Sequence, residues 1–187
     1  GPIVARGYHH LPELTAEAFD NGWFHTGDIG EFDEHDNLYI TDRKKDLIKT
    51  SGGKYVAPQK VEASLAANIP LLSQAVVLGE GHKYIVALLA LEEKAVLRWG
   101  RRHGKSRATY ADLIDDPELI AAMQAGVDRA NTRLERWETV KRVAILDYDM
   151  SNNKDLVTTS LKVRRSVVAQ QFRDLYESLY ETDETTA

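Results

Sequence analysis

A carboxylate among small and aromatic residues is the first feature suited to chemistry. Residues 22–30 read Gly-Trp-Phe-His-Thr-Gly-Asp-Ile-Gly, and Asp28 stands at the entry of an extended stretch. A carboxylate placed there can accept hydrogen bonds from two vicinal hydroxyls, which is how proteins commonly hold a ribose. Asp28 can equally cap backbone amides in a turn that enters a strand. The segment alone leaves both interpretations open.

Cations beside a glycine pair form the second feature. Residues 42–49 read Asp-Arg-Lys-Lys-Asp-Leu-Ile-Lys, and Ser-Gly-Gly-Lys follows over residues 51–54. Such cations can hold phosphates or a ribose, and glycine lets a ligand approach the backbone closely. Lysines also protect exposed sheet edges from pairing with other chains. A solvated edge is therefore the alternative interpretation.

A lysine after a hydroxyl-rich loop is the third feature. Residues 156–165 read Leu-Val-Thr-Thr-Ser-Leu-Lys-Val-Arg-Arg. Lys162 can neutralise a phosphate and a carboxylate together, and so stabilise the charge of an acyl-transfer step. The alternative is a helix capped by Thr159 or Ser160, with incidental basic residues.

Turn residues and hydrophobic spacing predict the elements that position the first two features. Residues 28–33 and 38–42 are strand-like around a polar turn, which predicts a hairpin. Thr15 predicts the cap of a short helix over residues 16–20. Residues 47–50 predict a short strand before the glycine turn. Pro58 is suited to the first turn of a helix, and apolar residues every four positions extend that helix to Asn68.

The remaining pattern mixes strands and helices without a regular alternation. Residues 75–78 and 84–91 predict an antiparallel strand pair, and the second strand lacks alternation, so both its faces should be covered. Residues 140–146 predict a further strand. The longest predicted helix places Ile120, Met123, Val127, Ala130, Leu134 and Trp137 on one face, and the last one places Val168, Phe172, Leu175 and Leu179 on one face. We predict an α+β fold: a small mixed or antiparallel sheet with helices packed on it, preceded by a β-hairpin.

Composition excludes several classes of function. The 187 residues carry a formal net charge of -5, which argues against a nucleic-acid partner. The sequence has no cysteine, which removes disulfides, thiolate zinc sites and cysteine nucleophiles. No apolar run approaches the roughly 18 residues that span a bilayer, and the first residues do not read as a signal peptide. We expect a soluble, cytoplasmic protein.

The order and spacing of three motifs carry a family resemblance. They are Trp-Phe-X-Thr-Gly-Asp, then Asp-Arg-Lys-X-Asp-X-Ile-Lys with a glycine pair and Ala-Pro, then Leu-Lys-X-Arg-Arg. The set resembles the adenylate-forming superfamily, and within it the long-chain acyl-CoA synthetases (fatty acid:CoA ligases). The resemblance implies the tail end of an N-terminal adenylating domain over residues 1–44 and a mobile C-terminal domain over residues 45–180. Residues 181–187 would be a disordered acidic tail.

The resemblance also implies a role for each motif. In this family a carboxylic acid and ATP give an acyl-adenylate and pyrophosphate, and the thiol of CoA then displaces AMP. The C-terminal domain rotates between these half-reactions. The implied roles are ribose binding by Asp28 and Arg43, a hinge at Lys45, contact with the substrate carboxylate and α-phosphate by Lys162, and a face for CoA made by Lys49, Gly52, Gly53 and Lys54.

The last motif departs from the family in two places. A proline two or three residues before the lysine and a glycine directly before it are common, whereas Thr159 and Leu161 stand here. Leucine before the lysine is usual in the long-chain branch, so Leu161 favours that subgroup. The missing proline keeps Lys154 as a rival to Lys162.

The sequence contains neither a Ser/Thr/Gly-rich loop ending in Lys-Gly nor a Gly-Lys-Ser/Thr loop for the terminal phosphates of ATP. The resemblance implies that ATP, with Mg, is held mainly by the N-terminal domain of the same enzyme. The expected partners are that domain, fatty acid, ATP and CoA. We expect no metal ligands in this chain and no turnover by it alone. Peripheral membrane contact through the parent enzyme stays open.

Two other interpretations remain. The acceptor of the acyl group can be a carrier protein, because it presents the same phosphopantetheine thiol as CoA. The chain can also be a free-standing binding or regulatory module, since a face with Arg43, Lys45, Lys49 and Lys54 would serve that role.

Overall fold

The computed structural model describes residues 3–148, 150, 153–158 and 162–181. Its backbone contacts divide the chain into two units, and the division falls between Asp46 and Leu47. The predicted cap at Thr159 or Ser160, the residue Leu161 and residues 182–187 of the predicted tail 181–187 lie outside the described residues.

The first unit consists of a short helix and two hairpins. Helix α1 (Pro12–Ala18) leads into strands β1 (Phe19–Asp20) and β2 (Trp23–Phe24), and strands β3 (Asp28–Phe32) and β4 (Leu38–Arg43) pair antiparallel. A 3-10 turn (Lys44–Asp46) ends the unit. The carboxylate of Asp33 closes the β3–β4 turn by accepting the backbone N–H groups of His35 at 2.8 Å and Asn37 at 2.9 Å. The predicted hairpin is confirmed.

The predicted cap at Thr15 is wrong. Helix α1 begins at Pro12 with Leu11 before it, so Thr15 lies inside the helix. Proline fixes a helical φ at the first position and has no N–H to satisfy, which explains the earlier start. The Thr15 hydroxyl instead donates to the Leu11 carbonyl at 2.8 Å and accepts from the Tyr8 N–H at 2.9 Å.

The second unit is built on a three-stranded sheet. Strands β5 (Ile48–Lys49) and β6 (Tyr55–Val56) precede helix α2 (Pro58–Asn68). Strand β7 (Leu72–Leu78) pairs antiparallel with the central β8 (Ile85–Leu91), and β9 (Val140–Ile145) pairs parallel with β8. All seven residues of β8 are buried, which confirms that both its faces are covered.

Alternate residues of the sheet enter two separate cores. One contains Val77, Ala87 and Leu89 with residues of helices α2, α3 (Glu93–Arg102), α4 (Tyr110–Ile114) and α5 (Pro117–Asn131). The other contains Val76, Val86 and Leu88 with residues of α6 (Arg165–Gln171) and α7 (Arg173–Glu181). Because successive side chains of a strand point to opposite faces, the sheet has helices on both sides. The predicted α+β class is confirmed.

The predicted apolar face of the longest helix is wrong at both ends. Met123, Val127 and Ala130 are buried as predicted, but Ile120 is 47% exposed and Leu119 is fully buried in its place. Spacings of three and four both fit a helix, so the pattern could not choose between these neighbours. Helix α5 ends at Asn131, and Trp137 lies beyond it with 40% of its surface exposed.

The predicted final helix is two helices separated at Phe172. Val168 is buried as predicted, whereas Leu175 is 37% exposed and Tyr176 faces the core. Tyr176 packs edge-on against His82, with ring centroids 5.4 Å apart, and this contact sets the buried side of α7. Among the described residues, no helix has both the length and the hydropathy to cross a bilayer.

Candidate functional site

Asp28 and Arg43 lie opposite each other at the open end of the β3–β4 hairpin. The Arg43 Nε is 2.7 Å from the Asp28 Oδ1, and the Arg43 Nη1 donates to the Thr26 carbonyl at 3.0 Å. The Asp28 side chain is about one quarter exposed and the Arg43 side chain about half exposed. The hairpin register therefore brings the two predicted ribose ligands together, with the carboxylate oriented by the guanidinium.

The capping role left open for Asp28 is filled by other carboxylates of the same hairpin. Asp42 is 3% exposed, and its Oδ1 accepts the Arg43 N–H at 2.7 Å. Asp33 closes the turn, and its hydrogen bonds with Asn37 lower the pKa of its carboxyl group. The Asp28 carboxylate instead forms an ion pair with the guanidinium of Arg43.

Lys45 lies in the 3-10 turn that ends the first unit, and its side chain is exposed. The Lys44 N–H donates to the Gly27 carbonyl at 2.8 Å, so residue 44 is fastened to the β3–β4 hairpin. The second unit begins two residues after Lys45. These observations are compatible with a hinge at Lys45, which stays a prediction.

The glycine pair forms an open turn between β5 and β6. The Thr50 N–H donates to the Lys54 carbonyl and the Gly53 N–H to the Thr50 carbonyl, both at 2.9 Å. Gly53 has φ +75°, a conformation that favours glycine. A Cβ at Gly52 or Gly53 would meet no heavy atom within 4 Å. The backbone of this turn is therefore fixed in shape and accessible to a ligand.

The β7–β8 turn supports the glycine turn from the side. The Ser51 N–H donates to the His82 carbonyl at 2.8 Å, and the Gly81 N–H donates to the Lys49 carbonyl at 2.9 Å. The His82 ring is stacked on Tyr180 of α7 with centroids 3.9 Å apart. The position of the glycine turn is thus linked to packing between the sheet and α7.

A cationic groove of about 570 Å³ adjoins Lys54. The Lys54 Nζ lies 4.7 Å from the centre of the exposed Trp137 ring, a cation–π contact. The groove is lined by Lys54, Lys83, Tyr84, Arg136, Trp137, Thr139 and Lys141. Four of these side chains are cationic and none is acidic, so the groove is suited to an anionic ligand with a flat group to stack on the indole.

Sequence reasoning missed every groove residue except Lys54. The available signal was the run of residues 136–141, which combines two cations with a tryptophan. The pattern instead predicts the end of a helix at Trp137 and the start of a strand at Val140, and neither prediction indicates a binding surface.

Lys162 is exposed in one of two loop segments, residues 156–158 and 162–164, that pair antiparallel and are called here the loop hairpin. Val157 and Val163 form a β-bridge, and the Arg164 N–H donates to the Leu156 carbonyl at 2.7 Å. The Thr158 N–H donates to the Lys162 carbonyl at 2.8 Å. Leu156 and Val157 are buried, so the backbone is fixed while the ammonium group reaches solvent. The rival Lys154 is also exposed, in the turn before this hairpin.

Apart from the hinge residue Lys45, the predicted site residues therefore form three groups. Asp28 and Arg43 form a pair in the first unit. Lys49, Gly52, Gly53 and Lys54 share one β5–β6 turn, and Lys162 stands on a different loop of the same unit. Each group is accessible, and each has a backbone held by hydrogen bonds.

Three known proteins show what the whole chain is similar to. A long-chain-fatty-acid–CoA ligase, FadD15 from Mycobacterium tuberculosis, is 41% identical over 181 residues, which cover 96% of this chain and 30% of that protein. The ligase ACSBG2 from Mus musculus is 31% identical over 198 residues, covering 96% and 30%. The structure of the A-PCP didomain of carboxylic acid reductase from Segniliparus rugosus in complex with AMP matches with a TM-score of 0.68 at 25% identity, covering 96% of this chain and 24% of that one.

The chain spans about 30% of the length of these two ligases. Residues 45–184 match the family described as AMP-binding enzyme C-terminal domain. That range contains the whole three-stranded sheet of the second unit, both its cores, the glycine turn and Lys162. The chain belongs to the family of AMP-binding enzyme C-terminal domains.

Proposed function

We propose that this chain is the C-terminal part of an ATP-dependent long-chain fatty acid:CoA ligase, which works only with an N-terminal adenylating domain of the same enzyme. One observation carries the proposal. The exposed Lys162 stands on a fixed hairpin in a chain that is 41% identical to a long-chain fatty-acid CoA ligase. In this proposal residues 1–44 complete the adenylating domain and residues 45–180 form the mobile domain.

Lys162 acts in the first half-reaction. A carboxylate oxygen of the fatty acid attacks the α-phosphorus of ATP, and the bond to pyrophosphate breaks. Two anionic groups approach each other in this step, and the ammonium group offsets their charge without transferring a proton. Asp28 accepts hydrogen bonds from the ribose hydroxyls, and Arg43 adds a further contact while orienting the Asp28 carboxylate. Removing a preorganised charge partner of this kind costs about 10²–10³ in rate.

The glycine turn acts in the second half-reaction. The thiolate of CoA attacks the acyl carbonyl carbon, and AMP leaves. The pantetheine arm passes over the open backbone of Gly52 and Gly53, where no side chain obstructs it. The cationic groove beside Lys54 takes the phosphates of CoA, and the exposed Trp137 ring offers a face to the adenine.

Lys45 is the hinge about which the C-terminal domain rotates between the two half-reactions. A hinge is a short, exposed segment able to absorb a change in φ and ψ, and Lys45 lies in such a segment at the end of the first unit. Among the described residues there is no group of three or more His, Asp and Glu side chains able to hold a metal ion. In this proposal the N-terminal domain holds Mg together with the terminal phosphates of ATP.

A carrier protein is the second candidate acceptor. The reductase match is an A-PCP didomain, whereas the more similar relatives are named as CoA ligases. A carrier protein presents phosphopantetheine without the nucleotide of CoA, so the cationic groove distinguishes the two. Replacing Arg136 and Lys141 with alanine should raise the KM for CoA at least about tenfold if CoA is the acceptor.

The proposal is tested with Lys162→Ala in the full-length enzyme, using Lys154→Ala as the matched control. Adenylation is measured as fatty-acid-dependent exchange of pyrophosphate into ATP, and thioester formation is measured from preformed acyl-adenylate and CoA. Lys162→Ala should slow adenylation by about 10²–10³ and leave thioester formation within about twofold. Lys154→Ala should leave both rates nearly unchanged.

Other outcomes assign the chain differently. A selective loss of adenylation with Lys154→Ala would transfer the catalytic role to that lysine. If neither variant affects adenylation, the chain is a binding or regulatory module.

A further inference from the structure

The last arginine of the basic motif has a role that the proposed chemistry does not use. Arg165 is the first residue of α6, and its Nη2 lies 2.5 Å from the Glu62 Oε1. Both side chains are about one fifth exposed. The neighbouring Arg164 is exposed. Two adjacent arginines of one motif are thus in different environments, because Arg164 is exposed whereas Arg165 forms a partly buried ion pair.

Glu62 and Arg165 together engage the outer edge of the sheet. Strand β7 is an edge strand, because the sheet order is β7-β8-β9. The Val77 N–H donates to the Glu62 Oε1 at 2.9 Å, and the Arg165 Nε donates to the Val77 carbonyl at 3.1 Å. The Glu62 and Arg165 side chains therefore satisfy both the N–H and the carbonyl of Val77, as a neighbouring strand would. This joint fastens α2, β7 and α6 at a single point.

The joint fixes the start of helix α6, which follows Lys162 in the chain. Helix α6 has no side-chain cap at Arg164, so the Arg165 side chain anchors its first turn. Lys162 is three residues before Arg165. The intervening backbone is constrained by the Val157–Val163 bridge and by the Arg164 N–H bond to Leu156. The backbone between Lys162 and the anchored Arg165 therefore has little conformational freedom.

We propose that Glu62 and Arg165 are positioning residues that hold Lys162 in register for adenylation. The inference rests on the proposed function, because it assumes that Lys162 acts in that half-reaction. Misplacing a catalytic group by about 1 Å can cost on the order of 10²-fold in rate. The planar guanidinium makes both contacts at once, which a lysine ammonium cannot reproduce with the same geometry.

The test uses Arg165→Met in the full-length enzyme, with Arg164→Met as the matched control. We expect kcat for adenylation to fall by about 10- to 100-fold with Arg165→Met, while the KM for ATP and the thioester rate stay within about twofold. Arg164→Met should leave kcat for adenylation within about threefold. Glu62→Gln retains an acceptor for Val77 and should give a smaller loss of the same kind.

A double-mutant cycle separates positioning from general stability. In a Lys162→Ala background, Arg165→Met should cause no further loss of adenylation, because the group being positioned is already gone. An equal loss in both backgrounds would overturn the inference. So would a parallel loss of both half-reactions in Arg165→Met and Glu62→Gln. If Lys162→Ala itself leaves adenylation intact, the proposed function fails first, and that result is distinct from either of these.

Discussion

Replacing Gly53 with tryptophan tests the proposed CoA face with little disturbance of the fold. A Cβ at Gly53 meets no heavy atom within 4 Å, so the new side chain extends into solvent. The backbone there has φ +75°, and a non-glycine residue in this conformation costs about 1–2 kcal/mol. That cost is small beside the roughly 5–15 kcal/mol that stabilise a typical domain. The variant should fold.

The expected effect on catalysis is larger and confined to one step. If the pantetheine arm crosses this turn, an indole on it blocks the approach of the thiol. We expect thioester formation from preformed acyl-adenylate to fall by at least about 100-fold, or roughly 2.7 kcal/mol in activation free energy. Adenylation should change by less than about twofold, because the proposed function gives this turn no contact with ATP in that half-reaction.

Gly104 provides the control for backbone strain. It lies in the connection between α3 and α4 with φ +76°, and its Cβ would also meet nothing within 4 Å. Gly104→Trp therefore carries the same strain and a similar new surface in another loop. Both rates are measured in single-turnover experiments with the full-length enzyme. Similar effects of the two variants on thioester formation, or an equal loss of both half-reactions in Gly53→Trp, would refute the assignment of this face.

Three further predictions address the proposed ribose-binding pair, the core and the aromatic cluster. Asp28→Asn should raise the KM for ATP about tenfold or more in steady-state kinetics, because a hydrogen bond to a charged group contributes about 1.5–3 kcal/mol. Leu119→Ala should destabilise the chain by about 2–5 kcal/mol in urea unfolding, whereas Ile120→Ala, at an exposed position, should change stability by less than about 0.5 kcal/mol. Desolvation raises the pKa of Tyr176 to about 12, so its contribution to stability is present below the unfolded pKa near 10 and lost as pH rises towards 12. The loss of stability on raising the pH from 10 to 12 should be smaller in Tyr176→Phe, and an unchanged pH profile would contradict this reasoning.

The sequence pattern was enough to predict the elements that depend on residues close to one another in the chain. The β3–β4 hairpin was predictable because a polar turn separates two extended runs, and helix α2 was predictable because proline starts it and apolar residues recur every four positions. The register of that hairpin then brought Asp28 opposite Arg43. Exposure of Gly52, Gly53 and Lys162 agrees with what the proposed chemistry requires.

Features that depend on distant parts of the chain were not predictable. The Glu62–Arg165 pair joins residues 103 positions apart, and nothing in the spacing of either residue indicates the other. Trp137 meets Lys54 in the groove only because the fold brings them together. Tyr176 replaces Leu175 as the buried residue of α7 because His82 and Tyr180 provide aromatic partners. Hydrophobicity alone predicts that Leu175 is buried, whereas the aromatic contacts of Tyr176 place Tyr176 in the core instead.

Under the proposed function, strand β7 would let one small unit serve two half-reactions without refolding. The hairpin of Lys162 is fastened to this strand at Val77, through Arg165 and Glu62. The glycine turn is fastened to the connection that follows the same strand, through the Ser51 bond to His82. Both sites are therefore attached to the second unit's sheet at points a few residues apart, Val77 and His82. The sheet sets the distance between the two sites. A rotation about Lys45 would then exchange one site for the other as a rigid-body movement, and the fold would supply the two geometries without any internal rearrangement.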